Sequence, residues 1–137
     1  NKYCQMEKVV GNQFHTVFFD KYTSTIDRRR NIAKHYNERL KDFSSLTLPP
    51  APNSDDDNFD IYQNYELQAD QRDDLKDYLR LNGIGTLIQW GGKAVHQFQD
   101  LGFTQLLPFT EKIMRRSLML PLNMSVSDGD IDYNVAV

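Results

Sequence analysis

The sequence predicts an α/β fold, a small sandwich in which helices pack on a short, mostly antiparallel sheet. Three observations predict it. Segments whose apolar residues recur every three to five positions alternate with short segments of strand-like pattern, without internal repeats. Glycine and proline stand between those segments and punctuate them. The chain has 137 residues, 39% of them hydrophobic, and a domain of that size buries roughly two-thirds of its unfolded surface, enough for one core.

The first element is helical. Met6 to Leu40 has no proline and one glycine, Gly11, and its apolar positions run through Val10, Phe14, Val17, Ile26, Ala33 and Tyr36 at helical spacing. The β-branched and hydroxyl run Tyr22-Thr23-Ser24-Thr25 leaves one long helix or two both open. Pro49, Pro50 and Pro52 push Leu46–Pro52 into extended geometry, and Asn53–Asn58 is a polar surface loop. Ile61–Leu67 alternates apolar and polar residues, as a half-buried strand does. A helix follows, capped by Asp70 with Asp73 three residues on, lined by Leu75, Tyr78 and Leu79, and stopped by Asn82-Gly83. Ile84–Trp90 reads as a second strand, ended by Gly91-Gly92. An irregular or helical stretch then leads through His96, Phe98 and Leu101 to Gly102. Pro108 opens another helix, with Glu111 in its first turn and Arg115-Arg116 in its last, where the helix dipole favours them. Ser117–Leu120 is a short strand closed by Pro121. The chain begins with Asn1 rather than Met and stops at Val137 inside a growing helix, since Ser127 to Asp130 is a capping signal, and we expect a piece of a longer protein.

Composition narrows the function classes. With 16 Lys+Arg against 19 Asp+Glu, the net charge of -3 supplies no overall basic field for nucleic acid. The single cysteine, Cys4, closes no internal disulfide and builds no thiolate metal site, which points to the cytoplasm. No apolar run approaches the ~20 residues of a membrane span, and no basic segment followed by an apolar stretch opens the sequence.

Most candidate motifs fail on inspection. Gly83-Ile84-Gly85 has Ile88 where a dinucleotide fingerprint needs its third glycine. Asp55, Asp57 and Glu66 fit a calcium loop, but Phe59 and Asp60 occupy the fifth ligand position and the glycine turn. Asn123-Met124-Ser125 spells a glycosylation triplet by chance. His15, His35 and His96 are too scattered for a helical metal pair, so no metal site is expected. Arg28-Arg29-Arg30, interleaved with acids, reads as a solvated charged face. The amides of Gln63-Asn64 are costly to bury without partners, so they either pin the sheet or face a ligand. The segment Trp90-Gly91-Gly92-Lys93 with His96 differs: an aromatic ring, two flexible residues, a cation and an imidazole follow a strand end, where ligand-contacting loops are common.

Several segments together resemble the C-terminal part of the DegT-type nucleotide-sugar aminotransferases, which use pyridoxal phosphate. They are Arg28-Arg29-Arg30-x-Ile32-Ala33-x-x-Tyr36-x-x-x-Leu40, Tyr62-Gln63-Asn64-Tyr65, Arg72-Asp73-x-Leu75, Gly83-Ile84-Gly85-Thr86, His96-Gln97, Leu107-Pro108-x-Thr110-Glu111 and Leu118-x-Leu120-Pro121. Their order and spacing match over roughly residues 24 to 134. The resemblance implies the small C-terminal α/β domain of a fold type I aminotransferase, here 41–137, preceded by a linking and interface helix region, 1–40. It implies a cytoplasmic homodimer with active sites at the subunit interface. The implied reaction is transfer of an amino group, commonly from glutamate, to a keto sugar on a nucleotide. The Schiff-base lysine of the family stands in a Ser-x-His-Lys context that has no counterpart here, so the cofactor is expected to be bound mainly by residues outside this chain. The family's Asn-x-Arg-Met stretch corresponds to Asn1-Lys2-Tyr3-Cys4-Gln5-Met6, which leaves Asn1 as a contact to the partner subunit's cofactor. Gln89-Trp90-Gly91-Gly92-Lys93 replaces a proline-rich approach to the histidine. Trp90, Lys93 and His96 are therefore the expected substrate contacts, the indole stacking on a ring and the ammonium meeting a phosphate. Two other readings keep the fold: a sugar dehydratase, in which histidine replaces the lysine, and a non-catalytic binding or dimerisation module.

Overall fold

The computed structural model describes residues 2–53 and 59–137, with side chains from residue 21 onward. Helix α1 runs unbroken over Lys2–Leu40. The hydroxyl run does not divide it, because Ser24 and Thr25 donate back to the Lys21 carbonyl at 3.0 and 2.7 Å and so satisfy themselves within the helix. Strands β1, Leu46–Thr47, and β2, Tyr65–Ala69, follow, then helix α2, Arg72–Leu81. Three short turns, Gln89–Gly92, Val95–Gln97 and Gln99–Leu101, lead to helix α3, Pro108–Arg116, strand β3, Ser117–Leu120, and helix α4, Asp128–Ala136.

The sheet is antiparallel throughout, in the order β1-β2-β3, with Leu46 opposite Ala69 and Leu67 opposite Leu118. Alternation on β2 sends Tyr65, Leu67 and Ala69 into the core, where Ile32, Ala33, Tyr36 and Leu40 of α1 meet them. Ile131 of α4 is fully buried in the same core. Each such aliphatic side chain contributes roughly 2 kcal/mol on burial. Ion pairs border the α1–α4 contact: Arg28 Nη1 lies 2.7 Å from Asp128, and Arg39 Nη2 lies 2.6 Å from Asp132.

The structure corrects four expectations. The strand expected over Ile61–Leu67 lies at Tyr65–Ala69, because Tyr62 takes a left-handed φ of 48° and interrupts the extended run. Ile84–Trp90 forms no continuous strand; only Leu87 pairs, exchanging backbone hydrogen bonds with Met119 at 3.1 and 2.9 Å. Left-handed residues on either side, Gly83 at φ 79° and Trp90 at φ 53°, turn the chain off the sheet edge. Asp70 does not cap α2; Gln71 occupies the cap position and the Asp70 carboxylate pairs with Arg116 at 2.6 Å. The arginine run is not a solvated face. Arg28 also donates to the Val126 carbonyl, and Arg30 donates to the Asp60 carbonyl and the Asn53 side chain while lying 4.1 Å over the Phe59 ring. The Asn82-Gly83 stop, Pro108 at the start of α3 and the Ser127 cap of α4 stand where the sequence put them, and the expected loop Asn53–Asn58 lies, after Asn53, outside the described residues.

Candidate functional site

The Trp90 segment is held by what lies beneath it. Trp90, Gly91 and Gly92 take left-handed φ values of 53°, 64° and 77° in succession, and the Lys93 amide closes the turn on the Trp90 carbonyl at 3.3 Å. A tryptophan in that region is strained, a condition that persists only where surrounding structure enforces it. The Trp90 side chain is 72% exposed. Lys93 is exposed and has no ion-pair partner among the described residues.

His96 faces the other way. Its side chain is 7% exposed, with Nε2 3.4 Å from Oε1 of Glu111 on α3, and Glu111 Oε2 in turn lies 3.6 Å from Arg115. The Ala94 amide donates to the Gln97 side chain at 2.9 Å, fixing the turn that carries the imidazole. The structure thus places Trp90 and Lys93 on the outside of one loop and His96 on its inside, anchored to α3. Asn1 lies outside the described residues.

Sequence reasoning missed two residues that organise this loop. Glu111 was legible as a helix-dipole partner and as part of the Leu107–Glu111 segment of the resemblance, and nothing in the spacing links it to His96. Arg72 packs its guanidinium against Gly92: a Cβ added there would meet Nη1 at 3.3 Å and Nη2 at 3.5 Å. A positive-φ glycine after another glycine is the one signal that a close approach was required.

Two concavities lie apart from the loop, lined by none of its residues. One, of about 440 Å³, lies between the end of α1, α2 and the end of α4; Leu46, Leu75 and Leu79 line it together with the carboxylates of Asp70 and Asp74. The other, of about 450 Å³, lies on the sheet's second face, where the exposed amides of Gln63 and Asn64 stand beside Asp60, Glu66 and Gln68. These amides escape the burial cost by facing solvent. Neither concavity fits pyridoxal phosphate: neither is lined by a lysine for a Schiff base or an arginine for a phosphate, and the carboxylates oppose an anion.

The comparisons with known proteins cover nearly the whole chain. A family model, the DegT/DnrJ/EryC1/StrS aminotransferase family, matches residues 16–137. A curated relative from Saccharopolyspora spinosa, dTDP-4-dehydro-2,3,6-trideoxy-D-glucose 4-aminotransferase, is 26% identical over 129 residues, 91% of this chain and 33% of the relative. The erythromycin biosynthesis sensory transduction protein EryC1 of Saccharopolyspora erythraea is 30% identical over 113 residues, 80% of this chain and 30% of the relative. Among solved structures, an aminotransferase of this description from Brucella abortus superposes with a TM-score of 0.68 at 30% identity, covering 81% of this chain and 29% of that one. Aminotransferase TlmJ from Streptoalloteichus hindustanus gives a TM-score of 0.77 at 26% identity, covering 88% and 32%. The chain therefore spans about a third of the length of the curated relatives it matches. The expected architecture, helices on a short antiparallel sheet as in the corresponding part of an aminotransferase, is borne out.

Proposed function

The chain belongs to the DegT/DnrJ/EryC1/StrS aminotransferase family, and from that premise we propose that it is the C-terminal portion of a nucleotide-sugar aminotransferase. The whole protein moves an amino group from an amino acid, glutamate first among candidates, to a keto sugar carried on a nucleotide. Pyridoxal phosphate serves that protein and is held mainly by residues outside this chain. The observation that carries the reading is the family match over residues 16–137, supported by the relative that aminates a dTDP-linked keto sugar.

Within it, residues 1–40 are the linking and interface helix region of a homodimer, and 41–137 are the small domain. Trp90 and Lys93 contact the substrate, the indole against a ring and the ammonium against the diphosphate, an arrangement supported by their exposure and by the absence of a described ion pair at Lys93. His96 contributes through the loop that it anchors to Glu111 and through the small part of its ring that solvent reaches. No helix among the described residues is long and apolar enough to cross a membrane. The cytoplasm is proposed as the compartment on the separate ground that the single cysteine, Cys4, closes no internal disulfide.

The test is kinetic. In the whole protein, Trp90→Ala and His96→Ala weaken use of the nucleotide sugar and leave the absorbance of the bound cofactor intact. Unchanged kinetics in both variants would remove these residues from the site.

A further inference from the structure

Arg72 begins α2, and its side chain is 11% exposed. Its Nη1 donates to the carbonyls of Met114 and Ser117, both at 3.3 Å, so one planar cation ties the start of α2 to the junction of α3 and β3. The same guanidinium forms the floor under Gly92. A Cβ on Gly92 would stand 3.3 Å from Nη1, 3.5 Å from Nη2 and 3.5 Å from Cγ2 of Ile88, which is tighter than ordinary packing at the first contact. Directly above that floor come three successive left-handed residues, one of them Trp90 at φ 53°. An L side chain keeps such a conformation only when its neighbours leave it no alternative. Gly91 has nothing within 4 Å of an added Cβ, so beside the Lys93–Trp90 backbone hydrogen bond at 3.3 Å the side chain that closes on these glycines is Arg72, at Gly92.

We propose that Arg72 is a positioning residue: its carbonyl-anchored guanidinium holds the Trp90–Gly92 turn left-handed and thereby sets the affinity of Trp90 for the nucleotide sugar. The inference rests on the reading of Trp90 as a substrate contact. It gives Arg72 no contact with the substrate itself. Lysine does not replace it: an ammonium could reach the two carbonyls that Nη1 bonds, but it lacks the rigid plane that places Nη2 beside Gly92 at the same time.

The test uses the whole protein labelled with 5-fluorotryptophan, the Trp90 resonance being identified by its loss in Trp90→Phe. Arg72→Gln and Arg72→Lys are expected to move the Trp90 fluorine resonance, and to raise KM for the nucleotide sugar roughly tenfold while kcat stays within about twofold. Gly92→Ala presses on the same contact from the other side and moves the same resonance, which keeps the proposal testable if Arg72→Gln fails to fold. A native Trp90 resonance in the folded Arg72 variants overturns the proposal. So does an unchanged KM in those variants where Trp90→Ala raises it. If Trp90→Ala leaves KM unchanged while the Arg72 variants still move the resonance, the hold of Arg72 on the turn stands and the substrate reading of Trp90 fails.

Discussion

Two buried tyrosines should respond in opposite directions to loss of the same atom. Tyr36 and Tyr65 are both 0% exposed, and their rings lie 4.9 Å apart. The Tyr36 hydroxyl donates to the Pro121 carbonyl at 3.0 Å and accepts from the Asn134 side chain at 2.9 Å, joining α1 to the end of β3 and to α4. The Tyr65 hydroxyl has no hydrogen-bond partner among the described residues. Tyr36→Phe therefore leaves a carbonyl and an amide without their bond, at about 1 kcal/mol each. With a urea dependence of about 1–2 kcal/mol per molar for a small domain, the unfolding midpoint should fall by about 1 M. Tyr65→Phe instead deletes a buried hydroxyl whose unpaired desolvation costs about 1–3 kcal/mol, so its midpoint should hold or rise. Both variants retain the ring contact, so that term cancels between them. Urea denaturation followed by circular dichroism at neutral pH measures both. Equal losses in the two variants would refute the reasoning, since they would mean that the Tyr65 hydroxyl is bonded as well as that of Tyr36.

Further consequences concern pH, caps and backbone. Burial pushes the phenols of Tyr36 and Tyr65 above their ordinary value of 10.0. The unfolded chain then gives up these protons first, so stability should be level below about pH 10 and fall as pH rises beyond it. Alkaline urea titrations should show a shallower fall in Tyr65→Phe. The Arg28 guanidinium, bonded to Asp128, holds that carboxyl below its ordinary 3.8. Its contribution is present above that value and lost as pH falls through the folded one, and Arg28→Met should return the Asp128 titration toward 3.8 by NMR. Ser127 accepts from the Asp130 amide at 3.1 Å and donates to its carboxylate at 2.7 Å, so Ser127→Ala should cost about 1 kcal/mol in the same urea assay. Gly83 sits at φ 79° in open space, so Gly83→Ala should cost about 1 kcal/mol from backbone conformation alone.

The sequence carried most of the fold because its signals were local. Pro108 at the start of α3, Ser127 with Asp130 at α4 and Asn82-Gly83 after α2 each act within one turn, and each is found in place. The strand expected over Ile84–Trp90 failed for the opposite reason. Its apolar residues suit a strand, but whether they pair depends on β3, thirty residues on, and on the left-handed turn that begins at Trp90. The arginine run failed similarly, since Asp60, Val126 and Asp128 are brought to it only by the tertiary fold. At the candidate site, the composition of the loop was legible in Trp90, Lys93 and His96. Its supports, Glu111 and Arg72, were not, because side chains that meet across elements leave no period in the sequence.

The most direct measurement of the central claim follows the amino nitrogen. The whole protein is incubated with pyridoxal phosphate, ¹⁵N-glutamate and a dTDP-linked 4-keto sugar, and the nucleotide sugar is analysed by mass spectrometry. Amino transfer predicts an amino sugar nucleotide carrying ¹⁵N. Recovery of the unchanged keto sugar, or of a dehydrated sugar without ¹⁵N, would contradict it.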